Sequence, residues 1–252
     1  MLKVLTFTAV AALAASSAFA QDATGAPSWT GPYVGIHGGY GFDAGQKISN
    51  AGHTDNNAAA FAAGLRSPIQ NQDRAGWLGG GQIGYNLQRG NLVVGAEGDF
   101  SYMHQRGTSD WYGADTRRTQ VKSDLNWMGS ARLRAGYALS NGTGMFYGTG
   151  GYAFGRVKGS AEFDALDVNQ INYYGEHKYT AQGWTAGVGA EFRPFANSAG
   201  MISRVSFRLE SNYYDLGRSH IEAGQTADRP GYYTLGVDTK GYNARFGVNY
   251  SF

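Results

Sequence analysis

The most constraining feature of the chain is an alternation of apolar with small or polar residues, which recurs in segments of about ten residues or more. Near the C-terminal end, for example, Tyr242, Ala244 and Phe246 alternate with Asn243 and Arg245. A two-residue period is that of a β-strand with two unlike faces, whereas an amphipathic helix repeats every 3.6 residues. The sequence therefore predicts an all-β protein. Its strand segments are about 32–42, 76–88, 91–103, 124–139, 145–156, 183–193, 203–214 and 241–252.

The connections between these segments alternate in length. The long ones are about 43–75, 104–123, 157–182 and 215–240, and the short ones are 89–90, 140–144 and 194–202. Up-and-down barrels of the bacterial outer membrane have long loops outside the cell and short turns in the periplasm. A tilted strand of about 9–11 residues crosses a bilayer. We therefore expect residues 32–252 to form an eight-stranded antiparallel up-and-down transmembrane β-barrel, with both termini in the periplasm.

The N-terminal residues have the pattern of a secretory signal peptide. Lys3 precedes an apolar stretch at 4–15, and Ala18 and Ala20 offer small residues for cleavage. A membrane anchor is the alternative, but the apolar stretch is shorter than the roughly 20 residues that a spanning helix needs. We expect a signal peptide at 1–20 and a short periplasmic segment at 21–31.

Composition excludes several other classes of protein. The chain has no cysteine, which rules out a disulfide framework and thiolate metal sites. The net charge of +2 falls to +1 without Lys3, and no bulk charge points to nucleic acid.

The polar face of the strands indicates which side looks inward. A soluble lipocalin-like barrel would put its aromatic residues inside and its charges in water. Here the polar face is rich in glycine, which suits a narrow lumen, and it carries both signs of charge. Charges withdrawn from water must pair. Four acids and six arginines are available: Glu97, Asp99, Glu191, Glu210, Arg132, Arg134, Arg193, Arg204, Arg208 and Arg245.

From these we predict a lumen charge network. Its members are Glu97, Asp99, Arg132, Arg134, Glu191, Arg208, Glu210 and Arg245. The apolar face would then meet lipid, and in segment 124–139 it includes Leu125 and Trp127. In segment 145–156 the pattern leaves the facing open. Tyrosines near the strand ends would form aromatic girdles at the two interfaces: Tyr33, Tyr40, Tyr102, Tyr137 and Tyr250.

Motifs for catalysis or cofactors are weak. Residues 79–84 fit G-x-G-x-x-G, and 148–153 fit a looser form, but both lie within strands and no helix follows. No G-x-S-x-G segment is present, so we predict neither an enzyme nor a bound cofactor or metal. Haem binding stays open as an alternative, through histidines and tyrosines of the predicted loops: His53, His104, Tyr112, His177, Tyr179 and His220.

Both ends of the barrel segment resemble a known family. Residues 29–41 (WTGPYVGIHGGYG) and 241–252 (GYNARFGVNYSF) are similar to the alphaproteobacterial outer-membrane surface-antigen porin family, which belongs with the outer-membrane protein A-like eight-stranded barrels. The resemblance implies that the outer-membrane assembly machinery recognises the C-terminal strand through Phe246, Val248, Tyr250 and Phe252. Members are described as surface antigens, structural barrels, small porins and haem binders.

We expect a structural surface protein of the outer membrane that contributes to envelope integrity and surface interactions. Its partners would be outer-membrane lipid and lipopolysaccharide, the assembly machinery, and an extracellular ligand at the loops. The alternative is a small porin-like channel. Eight strands favour the first, because open aqueous channels are usual at about 16 strands. The discriminating feature is whether the lumen charges close on each other.

Overall fold

The computed structural model describes residues 27–113, 115, 117–165, 170–225 and 231–252. The predicted signal peptide and residues 21–26 lie outside the described residues. Among the described residues, no helix is long and apolar enough to cross a membrane. The elements are β1 (Gly31–Asp43), β2 (Gln46–Gly52), α1 (Asp55–Ala62), β3 (Ile69–Gln72), β4 (Arg74–Arg89), β5 (Leu92–Tyr112), β6 (Arg117–Ala138), β7 (Gly144–Ala165), β8 (Gln170–Phe192), a 3-10 turn (Met201–Arg204), β9 (Val205–Gln225) and β10 (Tyr233–Ser251).

The long strands form a closed antiparallel ring. Each pairs with the next in the order β1-β4-β5-β6-β7-β8-β9-β10, and β1 pairs back onto β10 from Tyr33 opposite Ser251 to Asp43 opposite Gly241. Closure removes the sheet edges, whose unpaired N–H and C=O groups would be costly in lipid. The prediction of an eight-stranded antiparallel up-and-down barrel is confirmed.

The segment 43–75, predicted as a loop, contains two strands that extend the closed sheet beyond the end of β1. After a break at Gly45, whose positive φ of 74° suits glycine, β2 takes the place of β1 beside β10, with Ile48 opposite Val237. β3 pairs with β2 and leads into β4. Helix α1 lies between β2 and β3. Its N-cap residue is Thr54, whose hydroxyl accepts a hydrogen bond from the Asn57 amide.

The other predicted long loops are mostly strand as well. β5 and β6 stay paired to Tyr112 opposite Arg118, and β9 and β10 pair up to Ala223 opposite Tyr233. Strands β5 to β10 have 19 to 23 residues, roughly twice the length that crosses a bilayer. The barrel therefore continues well past the membrane as a folded extension, here called the lobe: β2, α1, β3, and the parts of β5–β10 beyond residues 103, 126, 155, 183, 214 and 241.

These strands were predicted too short because the two faces exchange their character along the strand. In β7 the apolar residues Phe146 and Tyr152 face outward, whereas farther along Val157 and Phe163 are the buried ones. The exchange breaks the alternation in the sequence at that point, so a continuous strand looks like a strand followed by a loop.

A ring of aromatic side chains marks the level of this exchange. Neighbouring strands contribute rings in contact, such as Phe42 with Tyr242 (centroids 5.8 Å apart) and Trp77 with Tyr102 (5.7 Å). Such girdles occur where a barrel leaves the hydrocarbon region. This circle of eight side chains, one from each long strand, is called the aromatic ring below. Its members are Phe42, Trp77, Tyr102, Trp127, Phe154, Trp184, Tyr213 and Tyr242.

Two predicted side-chain directions are wrong. Tyr33, expected in a girdle, lies inside the barrel and is 2% exposed. Leu125, expected on the lipid face with Trp127, is 1% exposed in the lumen. A bulge between Leu125 and Trp127 inserts one residue, and because side chains alternate, one extra residue turns every later one to the opposite face.

Glycine makes room for two tyrosine rings inside the barrel. A Cβ on Gly84 would lie 2.4 Å from the Tyr33 ring, and a Cβ on Gly189 would lie 2.4 Å from the Tyr147 ring. The facing that the sequence left open in β7 is thereby defined, with Tyr147 inside and Phe146 outside. Inward glycines thus set where the large lumen side chains can lie.

This arrangement predicts unequal effects for two alanine substitutions on neighbouring strands. Gly189→Ala should destabilise the barrel by about 1–3 kcal/mol, because the added methyl group overlaps the Tyr147 ring. Gly148→Ala is the matched control, since its Cβ would approach nothing closer than 3.8 Å. Urea unfolding, followed by the mobility difference between unboiled and boiled samples on a gel, measures both. Equal stabilities would contradict the account.

Candidate functional site: the lumen charge network

All eight residues of the predicted charge network lie inside the barrel, and the structure brings them together. They come from five strands: Glu97 and Asp99 from β5, Arg132 and Arg134 from β6, Glu191 from β8, Arg208 and Glu210 from β9, and Arg245 from β10. The charged side chains are at most 4% exposed. Their spacing of two residues within a strand puts both members on the inward face.

Glu210 occupies the centre of the network. Its carboxylate accepts hydrogen bonds from Arg132 (2.9 Å), Arg245 (2.7 Å) and Arg208. The Tyr147 hydroxyl donates to it at 2.9 Å, and the Asn212 amide at 2.8 Å. A carboxylate with this many donors is neutralised and immobilised, which offsets the cost of removing it from water.

Glu97 and Asp99 complete a knot of three acids and three arginines. Arg132 reaches Glu97 at 2.5 Å and Asp99 at 3.4 Å, so it joins all three acids. Arg208 bonds Glu97 at 2.6 Å, and Arg245 bonds Asp99 at 2.8 Å. Planar guanidinium groups suit this bridging because each offers several donors in fixed directions.

A second, smaller unit lies beside the knot. Arg134 pairs with Glu191, and its guanidinium stacks over the Tyr147 ring at 3.7 Å from the ring centroid. The other oxygen of Glu191 accepts from the Ser206 hydroxyl (2.5 Å) and the Asn249 amide (2.8 Å). Tyr147 therefore contacts both units and joins them.

The network is electrically balanced. Four of the six arginines that the sequence made available belong to it, and they face four carboxylates. Arg204 is exposed on the 3-10 turn at the barrel end. Arg193 lies at the same end, where its guanidinium stacks 3.7 Å over the Trp29 ring and donates to the Ser28 carbonyl at 2.8 Å.

These contacts of Arg193 close the lumen at the end that holds the termini. Trp29 is 2% exposed, and its amide donates to the Gln88 side chain at 2.7 Å. It packs with Val93, Ala138 and Tyr147 in a small apolar cluster. Ser28 and Trp29 of the predicted periplasmic segment thus lie at the barrel mouth.

An apolar layer covers the charge network on the other side. It contains buried side chains that point inward at the level of the aromatic ring, where the outward face changes from lipid-facing to polar. Its members include Leu78, Met103, Leu125, Met128, Tyr214 and Leu216. This layer separates the charges from the interior of the lobe.

The lobe has an apolar core of its own, capped by residues that follow α1. Phe163 stacks on Tyr233 at 4.2 Å, and Phe61 of α1 packs against the same cluster. Arg66 lies over Phe163 and donates to the Thr119 hydroxyl (3.1 Å) and the Asp164 carbonyl (3.1 Å). Burial lowers the pKa of Arg66 below its usual value. The far mouth of the barrel is therefore filled as well.

The candidate haem ligands do not converge. His53 stacks on Tyr232 at 4.4 Å, and His104 stacks on Trp77 in the aromatic ring. Within the described ranges, no group of three or more His, Asp or Glu side chains is placed to hold a metal ion. Of the six candidates only His177 and Tyr179, two residues apart on β8, have rings in contact.

The proposed assembly signal lies along the last strand. Phe246, Val248 and Tyr250 share the outward face of β10, and Phe252 follows the final strand residue, Ser251, with an exposed ring. Their alternation with inward residues such as Arg245 and Asn249 separates the lumen from the lipid face on the same strand.

Sequence reasoning missed several neutral members of the network. Tyr33 donates to Glu97 at 2.6 Å, and His37 contacts Gln82 (2.5 Å) and Ser101 (2.8 Å). The sequence did carry a signal for Tyr33 and His37, because each lies an even number of residues from a position on the same strand that was predicted to face inward. Tyrosine was assigned outward because its ring is apolar, although its hydroxyl can satisfy a buried acid.

The network makes a stability prediction. Arg132→Ala combined with Arg208→Ala leaves Glu97 and Glu210 short of partners in the lumen, so we expect a loss of at least about 3–5 kcal/mol of unfolding free energy. Arg218→Ala is the matched control, because its pair with Asp238 is exposed and should contribute little. Urea unfolding of the refolded variants gives the values.

If the double variant does not fold, Glu210→Gln supplies the same test with an unchanged shape. It should still fold but unfold at a lower urea concentration than the wild type. Wild-type stability in both variants would show that the network does not hold the barrel together.

Comparisons with known proteins agree with this architecture. Residues 7–252 match the model of the family described as outer membrane protein beta-barrel domain. The chain is 30% identical over 268 residues to the 31 kDa outer-membrane immunogenic protein of Brucella melitensis, with 100% of both chains covered. It is 29% identical over 225 residues to the 25 kDa outer-membrane immunogenic protein of Brucella canis, covering 89% of this chain and 80% of that one.

A third similar protein is also named as an outer-membrane protein. The 22 kDa outer membrane protein of Rhizobium leguminosarum is 29% identical over 180 residues, covering 71% of this chain and 69% of that one. Matches of this extent to alphaproteobacterial outer-membrane proteins support the family expected from residues 29–41 and 241–252. The chain is a member of the outer-membrane protein β-barrel family and belongs in the outer membrane.

Proposed function

We propose that this protein is a closed structural barrel that contributes to envelope integrity and presents its lobe at the cell surface. The observation that carries the proposal is the balanced network of four arginines and four acids, buried between an apolar layer and the Trp29 closure. Solutes would have to break these ion pairs to pass. A fixed, neutral lumen suits a structural element better than a conduit.

The porin alternative has less support. A lumen formed by eight strands is just wide enough to be filled by side chains, and open channels are usual at about 16 strands. In the described part of the chain, side chains occupy the lumen at the Trp29 level, at the charge network and at the layer around Leu125. Among the candidate haem ligands, the contact of His177 with Tyr179 is a stacking of two rings on one strand, which does not favour haem binding.

The envelope role predicts a phenotype. A strain lacking the gene should take up a hydrophobic fluorescent dye faster than its parent, and the wild-type gene should restore the barrier. The Arg132→Ala, Arg208→Ala double variant should restore it poorly, because the barrel is destabilised, whereas Arg218→Ala should restore it fully. Dye uptake that is unchanged by deletion would contradict a role in envelope integrity.

The surface role requires the lobe to face outward and the termini to face the periplasm. Two observations support this orientation. At the end that holds the termini the barrel strands are joined by turns alone, whereas at the other end the lobe projects, and outer-membrane barrels have short periplasmic turns and longer extracellular segments. Several relatives are named immunogenic outer-membrane proteins, and exposure of such a lobe at the surface would account for a similar property here.

Single cysteines test this orientation, because the chain has none of its own. Ala62→Cys places a thiol on the exposed side of α1, and Ser198→Cys places one in the exposed turn between β8 and β9. A membrane-impermeant maleimide added to intact cells should label the first and spare the second. Lysis should make both reactive. Labelling of Ser198→Cys in intact cells, with Ala62→Cys spared, would reverse the assignment.

A further inference from the structure

A group of basic side chains lies on the outer surface of the barrel directly above the aromatic ring. Its level is fixed by register, since Arg156 of β7 is opposite Trp127 of that ring. The group occupies the four adjacent strands β5, β6, β7 and β8. Its basic members are Arg106, Lys122, Arg156, Lys158 and Lys178, and the acids among them are Asp124, Glu162 and Glu176.

Two of the lysines are placed against each other. Lys158 is directly opposite Lys178 across the β7–β8 pair, an arrangement of like charges that destabilises a sheet. Glu176 bridges them, at 3.2 Å from each ammonium nitrogen. The two hydrogen bonds hold the pKa of the Glu176 carboxyl below its usual value, so it is ionised, but one negative charge leaves the pair with a net positive charge.

Arg156 adds to this excess. Its guanidinium donates to the Thr180 hydroxyl at 3.4 Å, and within the described residues it has no carboxylate at ion-pair distance. Lys122, by contrast, has its own partner in Glu162 at 3.8 Å. Asp124 lies opposite both Arg106 and Lys158 in register, so the five basic residues of the group face three acids and keep a net charge of +2. Its basic members on β7 and β8, Arg156, Lys158 and Lys178, are here called the basic triad.

The other side of the barrel at the same level is different. On β9 and β10, Arg218 is paired with Asp238 at 2.7 Å, and Lys240 lies opposite Asp215 in register. Charges there are matched one to one. The positive excess is thus confined to the β5–β8 side, where Arg156 lies immediately above Trp127 and Phe154 of the aromatic ring.

We propose that the basic triad binds a phosphate group of lipid A, the phosphorylated glycolipid headgroup of lipopolysaccharide in the outer leaflet. Aromatic girdles lie at the edge of the hydrocarbon region. On β7, Arg156 and Lys158 follow Phe154 by two and four residues, so along a strand tilted about 45° they stand roughly 5 and 9 Å above that edge, among the headgroups, and Lys178 lies opposite Lys158. Arginine and lysine are the side chains that bind phosphate most strongly in proteins. The acyl chains of the same molecule would lie against Trp127 and Phe154.

The inference rests on the proposed orientation, because lipid A is confined to the outer leaflet. The test is the affinity of the folded, detergent-solubilised full-length mature protein for diphosphoryl lipid A, measured by calorimetric titration. Lys158→Gln with Lys178→Gln should lower that affinity roughly 30-fold, from about 1 kcal/mol for each basic residue near an anionic headgroup. Lys47→Gln with Lys240→Gln removes two charges elsewhere and should leave it unchanged.

Three further measurements separate phosphate recognition from general adhesion. Glu176→Gln removes the competing carboxylate, so it should raise the affinity for lipid A even though it breaks two ion pairs. Lipid A stripped of its phosphates should bind the wild type as weakly as it binds the double variant. Inorganic phosphate should bind at least tenfold more weakly than lipid A, because it makes no apolar contact. Equal competition by inorganic phosphate would indicate a free-phosphate site and overturn the proposal.

Equal lipid A affinity in the two double variants, or weaker binding by Glu176→Gln, would also overturn the proposal. The cysteine labelling keeps its failure distinct from that of the proposed function. If labelling places the lobe outside and the triad variants still bind normally, the site is wrong while the orientation stands. If labelling places the lobe in the periplasm, the orientation is wrong, and the triad cannot meet lipid A in the cell.

Discussion

The structure depends on one constraint: charges inside a tube surrounded by lipid must be neutralised within the tube. Four arginines and four carboxylates meet this constraint, with Glu210 at the centre and Arg132 joining three acids. The carboxylates in turn fix Tyr33 and Tyr147, whose rings need glycine at positions 84 and 189. The inward glycines and the charge network are therefore parts of a single arrangement.

Six of the eight strands, β5 to β10, also serve two environments. Below the aromatic ring they present apolar side chains to lipid and polar ones to the lumen, and above it polar side chains face water while apolar ones fill the lobe. On β7 the residue types change while the facing stays the same. On β6 a bulge at 125–127 changes the facing instead. The change of residue type on β7 and the bulge on β6 both let a strand pass from hydrocarbon to water without exposing backbone groups.

This double use explains what could be predicted from the sequence. Alternation within the membrane, as in Tyr242 to Phe252, predicted the eight strands and the inward direction of the charged residues. The strand ends were wrong because the alternation breaks at the aromatic ring. The outward direction predicted for Leu125 was wrong because the bulge in β6 has no signature in the sequence. Pairing within the network, such as Arg134 with Glu191, depends on strand stagger and side-chain length and was not available from spacing.

The central claim is that the lumen is closed, and the most direct measurement is the single-channel conductance of the refolded mature protein in a planar bilayer. A gel comparison of unboiled and boiled samples first establishes that the barrel is folded. The account predicts insertion without discrete current steps, because the charge network and the Trp29 closure block the path. Discrete, lasting open steps from the folded wild type would contradict it and make the charged lumen a permeation path.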